Sequence, residues 1–287
     1  MSATAAIRSE EPIVQGDFPF TQRDFRRIAS ILREESGIHL AEAKVALVYS
    51  RLAKRLRKTG IASFAEYCDI IESRDGAEER MAMLAALTTN VTRFFREPHH
   101  FDHLRERTLP PLIAAARTGK RVRLWSSACS TGEEPYSIAL TLLSMMPDAA
   151  QYDVRLLATD IDPNVVTTAK AGVYSSSAIE PIPAAMRDRW LSRSGDKWRV
   201  NDEVRALIAF NTLNLIGDWP MRGRFDIIFC RNVVIYFESE TQDLIWTRFR
   251  NILSPEGRVY IGHSERIDDN AFVSDGLTIY RLNGARA

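Results

Sequence analysis

Past Gly119 the chain alternates short apolar runs with helical patterns, and this alternation constrains the fold more than any other feature. Val122–Ser126 (VRLWS) leads through a loop into a helix expected over Pro135–Met145. Val154–Thr159 (VRLLAT) leads into a helix over Pro163–Ala171, and Phe225–Cys230 (FDIIFC) into one around Gln242–Leu253. The turn Ser254-Pro255-Glu256-Gly257 and the run Arg258–Ile261 follow. Apolar runs separated by helices imply a parallel sheet covered on both faces, an α/β fold. Phe272–Leu282, with Asp275-Gly276 inside it, reads as an antiparallel closing strand or hairpin. Residues 175–205 break the rhythm: a Pro-containing stretch, a short helix near Ala184–Leu191 and a hairpin around Ser194-Gly195-Asp196 form an insertion before the strand Leu207–Thr212.

The first part of the chain has a different period. Thr21, with Asp24 three residues on, caps a helix whose apolar face is Phe25, Ile28, Ala29 and Leu32, and Gly37 ends it. A second helix is expected over Glu42–Lys58, with Val45, Val48, Leu52 and Leu56 on one face and Gly60 as its stop. Two more, Phe64–Ile71 and Ala77–Leu87, complete an all-helical domain over 18–88. The expected organisation is thus a disordered arm (1–17), the helical domain, a linker segment with a helix (89–120), and an α/β domain (121–287) carrying the insertion.

With 38 basic and 37 acidic residues, the net charge of +1 creates no global field for nucleic acid or anionic lipid. Three widely spaced cysteines (Cys68, Cys129, Cys230) without a CxxC pair suit a reducing compartment. Residues 1–17 lack the apolar core of a signal peptide, and no stretch reaches the length of a membrane span. A soluble, cytoplasmic protein that does not insert into membrane is expected.

Three loops carry candidate chemistry. Ser126-Ser127-Ala128-Cys129-Ser130-Thr131-Gly132-Glu133-Glu134 joins a strand to a helix; its small residues admit a ligand close to the backbone. It is not G-x-G-x-x-G, and its acidic residues would repel a pyrophosphate, so a cationic or zwitterionic ligand suits it better. An ordinary strand-to-helix turn remains open. Asp160 ends the second strand, where a carboxylate can accept from both hydroxyls of a ribose, while Asp162 is the better cap for the next helix. Arg231-Asn232-Val233-Val234-Ile235-Tyr236-Phe237 follows FDIIFC, at the strand end where open α/β sheets bind ligands.

Those loops, together with Thr89-Asn90-Val91-Thr92-Arg93-Phe94-Phe95-Arg96-Glu97-Pro98, resemble the CheR family of chemotaxis-receptor glutamate O-methyltransferases in four motifs, in order, across about residues 20–280. The resemblance implies a Rossmann-like class I methyltransferase sheet with an N-terminal all-helical domain and a small antiparallel β insertion. It implies S-adenosyl-L-methionine as cofactor and S-adenosyl-L-homocysteine as product. The cofactor site would comprise Asn90, Thr92, Arg96, Glu133, Asp160, Asn214, Leu215, Arg231 and Asn232, with Asn214 and Leu215 near the adenine. Arg96 and Tyr236 match the family's residues near the reacting centre, and their roles would be orienting ones. The partner would be the cytoplasmic helices of methyl-accepting chemotaxis receptors.

Arg51, Lys54, Arg55 and Lys58, with Arg57 beside them, form a basic stripe opposite the apolar face of the second helix. Such a run is commonly a solvated face; a compact positive surface can also meet nucleic acid or an acidic helical protein. Near-neutral total charge disfavours nucleic acid, and the resemblance favours receptor contact. His99, His100 and His103 invite a metal reading, since His99 and His103 stand one helical turn apart. No third ligand type is evident, Pro98 starts a helix there, and methyl transfer needs no metal, so none is expected. The short turn Arg193–Lys197 in the insertion points to a form that does not bind the receptor-tail pentapeptide. A monomer is expected. Two alternatives are a class I methyltransferase acting on RNA or a small molecule, and a non-enzymatic cofactor-sensing regulator; the presence of Arg96 and Tyr236 argues against the latter.

Overall fold

The computed structural model describes residues 11–284. They fall into two compact units: one of residues up to Thr89 together with Tyr236–Glu238, the other of Asn90–Ile235 and Ser239 onward.

In the first unit, β1 (Pro12–Val14) pairs antiparallel with β2 (Phe20–Thr21), ahead of helices α1 (Gln22–Ser36), α2 (Val45–Thr59), α3 (Phe64–Glu72) and α4 (Ala77–Leu87). The arm expected over 1–17 is therefore corrected where it is described: Pro12–Val14 is a strand, and residues 1–10 lie outside the described residues. The α1 cap is reciprocal. The Asp24 N–H donates to Thr21 Oγ1 at 3.2 Å and the Thr21 N–H to Asp24 Oδ2 at 3.0 Å, so two of the helix's orphan donors are satisfied. Gly37, at φ 75°, closes the other end. Phe20, Phe25, Ile28, Leu32, Val48, Leu52, Leu56, Phe64, Tyr67 and Ile71 make the core. Residues 236–238 join this unit through the bridge Ile38–Phe237 and the His39 N–H bond to the Tyr236 carbonyl at 2.8 Å.

The expected outward stripe on α2 divides in two. Arg51 donates to the carbonyls of Ala86, Leu87 and Thr88, satisfying the C-terminal end of α4. Arg55 forks onto Glu79 at 2.6 and 2.5 Å. Both are half-buried and committed to the unit's own fold. Lys54, Arg57 and Lys58 are exposed, Arg57 in an ion pair with Asp17.

In the second unit, α5 (Pro98–His103), a π-turn (Leu104–Thr108) and α6 (Leu109–Arg117) precede β3 (Val122–Ser126). The segment 89–120, expected as a linker, is integral here from Asn90 on: Phe94, Phe101, Leu104, Leu109 and Ala116 lie in the main core. Then come α7 (Glu133–Met145), β4 (Val154–Asp160), α8 (Pro163–Ala171) and β5 (Val173–Ser175). The insertion supplies α9 (Ala184–Trp190), β6 (Leu191–Ser194) and β7 (Lys197–Val200). The short α10 (Asp202–Arg205), β8 (Ile208–Thr212), β9 (Phe225–Cys230), α11 (Ser239–Ile252), β10 (Leu253–Ile261), β11 (Phe272–Gly276) and β12 (Ile279–Leu282) follow. The expected turn at 254–257 is absorbed into β10 as a register shift between Leu253 and Arg258.

The seven-stranded sheet has the order β11-β12-β10-β9-β3-β4-β8. The five strands from β10 to β8 are parallel, and β12 and β11 add antiparallel at one edge. From β3 the chain first builds outward through β4 to β8, then returns to lay β9 on the other side of β3. That reversal makes β3/β9 the switch point, where loops leaving the carboxyl ends diverge and open a crevice. Ser126 is in register with both Ala158 and Phe229, so the loops after β3, β4 and β9 start at one level. A separate three-stranded antiparallel sheet, β5-β7-β6, joins the two strands of the insertion to β5, which begins two residues before the insertion's expected start.

Candidate functional site

The loop after β3 is held tightly at the switch point. Ser126 Oγ donates to Glu134 Oε1 at 2.7 Å, Ser127 Oγ to the Phe229 carbonyl at 3.0 Å, and the Cys129 N–H to the Thr159 carbonyl. Ser130 takes a left-handed backbone (φ 48°), and its hydroxyl donates to the Asn90 carbonyl at 2.8 Å. Gly132 (φ 99°) is required on two counts: its backbone is left-handed, and a Cβ there would stand 2.8 Å from both Ala169 Cβ and the Tyr174 hydroxyl.

Asp160 is buried, and its two oxygens accept from the Ser130 N–H at 2.8 Å and the Asp162 N–H at 3.1 Å. The Ile161 N–H also acts on it; a carboxylate offers about four lone-pair positions, so room remains for a further donor. Burial pushes the Asp160 carboxyl above the usual range, against the pull of these N–H donors. Asp162 caps α8 through the Asn164 N–H and receives the Asn90 amide at 3.1 Å, which brings Asn90 beside the β4 end. Glu133 is buried too, and its described partners are the Thr131 hydroxyl at 2.7 Å and its own backbone N–H. Burial raises its carboxyl, with no arginine or lysine among the groups that act on it. A buried carboxylate in that setting is suited to a cationic ligand group.

Past β8, the Leu213 N–H bonds the Asp160 carbonyl at 2.9 Å, so Asn214 and Leu215 follow directly. Asn214 Oδ1 accepts the Ile216 N–H, and the Leu215 carbonyl accepts from Trp219 and Arg248. Leu215 is buried, presenting an apolar surface beside a polar amide.

After β9 the side chain of Arg231 turns into the protein. It reaches Glu134 Oε2 at 3.1 Å, Glu97 Oε2 at 3.2 Å and the Arg96 carbonyl. Burial pushes the Glu134 carboxyl up, with Arg231 opposing. Burial also works to raise Glu97, but Arg231 and His263 outweigh it and hold that carboxyl below the usual range. The guanidinium thus knits the 90–97 loop to the α7 start. Asn232 is left-handed (φ 58°), as are Phe95 and Glu97 (φ 52° and 57°). Non-glycine residues in that region are strained, and such residues cluster at functional sites.

What holds Asn232 in place is a residue the motifs did not single out. Glu265, buried after β10, accepts four backbone N–H groups: Asn232 at 2.9 Å and Gly262 at 2.6 Å on Oε2, Val233 at 2.8 Å and Val234 at 2.9 Å on Oε1. Gly262 has no room for a Cβ, which would lie 2.6 Å from Asn232 Nδ2. The only sequence signal was a glycine three residues before an acidic residue past an apolar strand. Arg96 is half-buried and donates to the Val91 carbonyl at 3.1 Å; Thr92 is half-buried on the same loop.

The structure therefore gathers Asn90, Glu133, Asp160, Asn214, Leu215 and the Asn232 backbone around the β3/β4/β8/β9 ends, with Thr92 and Arg96 on the loop that Asn90 begins. Tyr236 is counted with the first unit. A left-handed glycine, acceptor capacity still open on Asp160 and a cation-seeking Glu133 fit a zwitterionic nucleoside.

Sequence comparison agrees. Residues 90–279 match the family model "CheR methyltransferase, SAM binding domain", and residues 23–88 match "CheR methyltransferase, all-alpha domain". The chain belongs to the CheR methyltransferase family. A probable chemotaxis protein methyltransferase of Rhizobium etli is 52% identical over 258 residues, spanning 88% of this chain and 96% of that one. Chemotaxis protein methyltransferase 2 of Pseudomonas aeruginosa is 41% identical over 92% of this chain and 94% of its own length. The Escherichia coli chemotaxis protein methyltransferase is 38% identical over 90% of each. The second unit is thus the S-adenosylmethionine-binding half of a CheR methyltransferase. Among the described residues, no helix is long and apolar enough to cross a membrane.

Proposed function

We propose that this CheR-family chain methylates glutamate side chains on the cytoplasmic helices of chemotaxis receptors, forming glutamate methyl esters in chemotactic adaptation. The observation that carries the reading most is the pairing of Asp160 and Glu133 at the β3/β4 ends: one carboxylate with acceptor capacity left for a ribose hydroxyl, the other suited to an ammonium group. Asn214 and Leu215 would flank the adenine, and Asn90, Thr92 and the 231–232 backbone would close the remaining sides.

When bound, S-adenosylmethionine supplies an electrophilic methyl group on a sulfonium sulfur. A glutamate side chain is ionised at neutral pH, so the accepting oxygen is a nucleophile without help from a base. That oxygen bonds to the methyl carbon as the carbon–sulfur bond breaks, and the electron pair leaves with sulfur in S-adenosylhomocysteine. The work left to the protein is alignment and exclusion of water. Arg96 has a planar fork suited to a carboxylate, and Tyr236 offers a hydroxyl; both are assigned orienting roles. On the receptor side, Lys54, Arg57 and Lys58 are the outward cations of α2, and Arg51 and Arg55 would support them by fixing the helix. The insertion is assigned no tail-pentapeptide binding, and the chain is taken to act as a monomer.

Labelled methyl transfer tests this against the alternative of an RNA substrate. Incubation with labelled cofactor should mark a receptor cytoplasmic fragment and leave RNA unlabelled. Label in RNA alone would overturn the assignment.

A further inference from the structure

The start of α5 gathers three side chains, two of them histidines that the site above does not use. Glu97, His99 and His100 each offer a ligand atom within 4.8 Å of the others. Glu97 Oε2, His99 Nε2 and His100 Nδ1 are buried, and none of the three atoms has a hydrogen-bond partner among the described residues. The sequence alone pairs His99 with His103, one turn on. The structure instead sends His103 to Tyr260 and Asp275 and brings Glu97 to the other two.

The contacts around His100 favour one tautomer. Its Nε2 lies 2.8 Å from Thr278 Oγ1, whose own proton goes to the Leu277 carbonyl. With the Thr278 proton on that carbonyl, Thr278 accepts, Nε2 carries the imidazole proton, and Nδ1 is a bare lone pair. It faces Glu97 Oε2, a second bare acceptor, at 3.5 Å. Two acceptors at that distance repel unless something positive lies between them. The separation discriminates between occupants. A water about 2.8 Å from both atoms would subtend only about 77°, too acute for two good hydrogen bonds. An ion about 2.1 Å from both would subtend about 113°, close to tetrahedral.

The surroundings match as well. Ligating imidazoles donate their second N–H to an outer partner, as His100 does to Thr278. Glu97 Oε1 is fixed by the N–H and ring nitrogen of His263 at 3.2 and 3.1 Å. Arg231 approaches the ligating oxygen at 3.2 Å, and a carboxylate oxygen has a second lone pair to offer. We propose that Glu97, His99 and His100 form a binding site for a divalent transition-metal ion of the zinc class, with three protein ligands and one open position. Its bond to Glu97 would hold the left-handed backbone directly after Arg96, so the ion acts as a clamp on the 90–97 loop and takes no part in methyl transfer.

Cobalt(II), a spectroscopic substitute for zinc, tests this on the full chain after chelator treatment. One ion per chain should bind, with visible ligand-field bands and a raised thermal midpoint. His99→Ala should weaken binding by more than about tenfold, and His103→Ala should leave it unchanged. If His99→Ala fails to fold, His99→Gln gives the same comparison with a side chain closer in size. Absence of saturable cobalt binding, or equal affinity in the His99 variant, overturns the proposal and leaves the three atoms bridged by solvent.

Discussion

Glu265→Gln isolates the role of one buried carboxylate. Glutamine keeps a single carbonyl oxygen and puts an amide nitrogen where the other oxygen was. Whichever way the amide turns, two of the four N–H donors lose their acceptor: Asn232 and Gly262 on one side, Val233 and Val234 on the other. Each buried N–H left unpaired costs roughly 1–3 kcal/mol, so the loss lies at about 2–6 kcal/mol. Burial also pushes the Glu265 carboxyl up, and a neutral glutamine recovers that desolvation. The lower half of the range, about 2–4 kcal/mol, is therefore expected. All five tryptophans (125, 190, 198, 219 and 246) lie in the second unit, so fluorescence in urea reports on the unit that carries the change. S-adenosylhomocysteine affinity, measured by calorimetry, should fall with it because Asn232 is no longer held left-handed. An unchanged urea midpoint together with unchanged affinity would refute the clamp.

Saturating S-adenosylhomocysteine at about 100 times its dissociation constant should stabilise the wild-type chain by roughly 2.7 kcal/mol; Asp160→Ala should lose most of that shift in thermal melts, and a full shift would remove Asp160 from the ribose. Burial raises the Glu133 carboxyl in the free protein, and an ammonium ligand favours its charged form. Ligand affinity should therefore be flat near neutrality and fall as pH drops through that raised value; in Glu133→Gln the acid fall should shrink, and an identical profile in a calorimetric pH series would contradict the pairing. Reversing the exposed Lys54, Arg57 and Lys58 to Glu should weaken receptor methylation and its salt dependence while sparing cofactor affinity; normal receptor kinetics would make these residues an ordinary solvated face. Calorimetry with the receptor-tail pentapeptide should show no binding to the insertion, and micromolar binding would make the insertion a tether.

Local signals carried much of this fold. The Thr21–Asp24 cap, the glycine stops at Gly37 and Gly60 and the apolar runs VRLWS and FDIIFC depend on neighbours in sequence, and each element formed where expected. Asp160 and Glu133 were legible because their place at strand and helix ends follows from the same periodicity. What the sequence concealed depends on pairs far apart along the chain. Arg51 and Arg55 look like surface charge in a helical pattern, yet their partners sit on α4 and just past its end, 24 to 38 residues on. Glu265 reaches back about 30 residues to the loop after β9. Glu97 gains its meaning from Arg231 and His263, more than 130 residues away. No local pattern encodes such pairs; only the sheet order brings them together.

The most direct test of the central claim is the chemical nature of the product. A receptor cytoplasmic fragment is incubated with methyl-labelled cofactor and this chain, then digested and mapped by mass spectrometry, with a portion treated with base. The account predicts label on glutamate side chains, released by base as volatile methanol, as a carboxyl ester requires. Label that resists base, or that maps to residues other than glutamate, would contradict it.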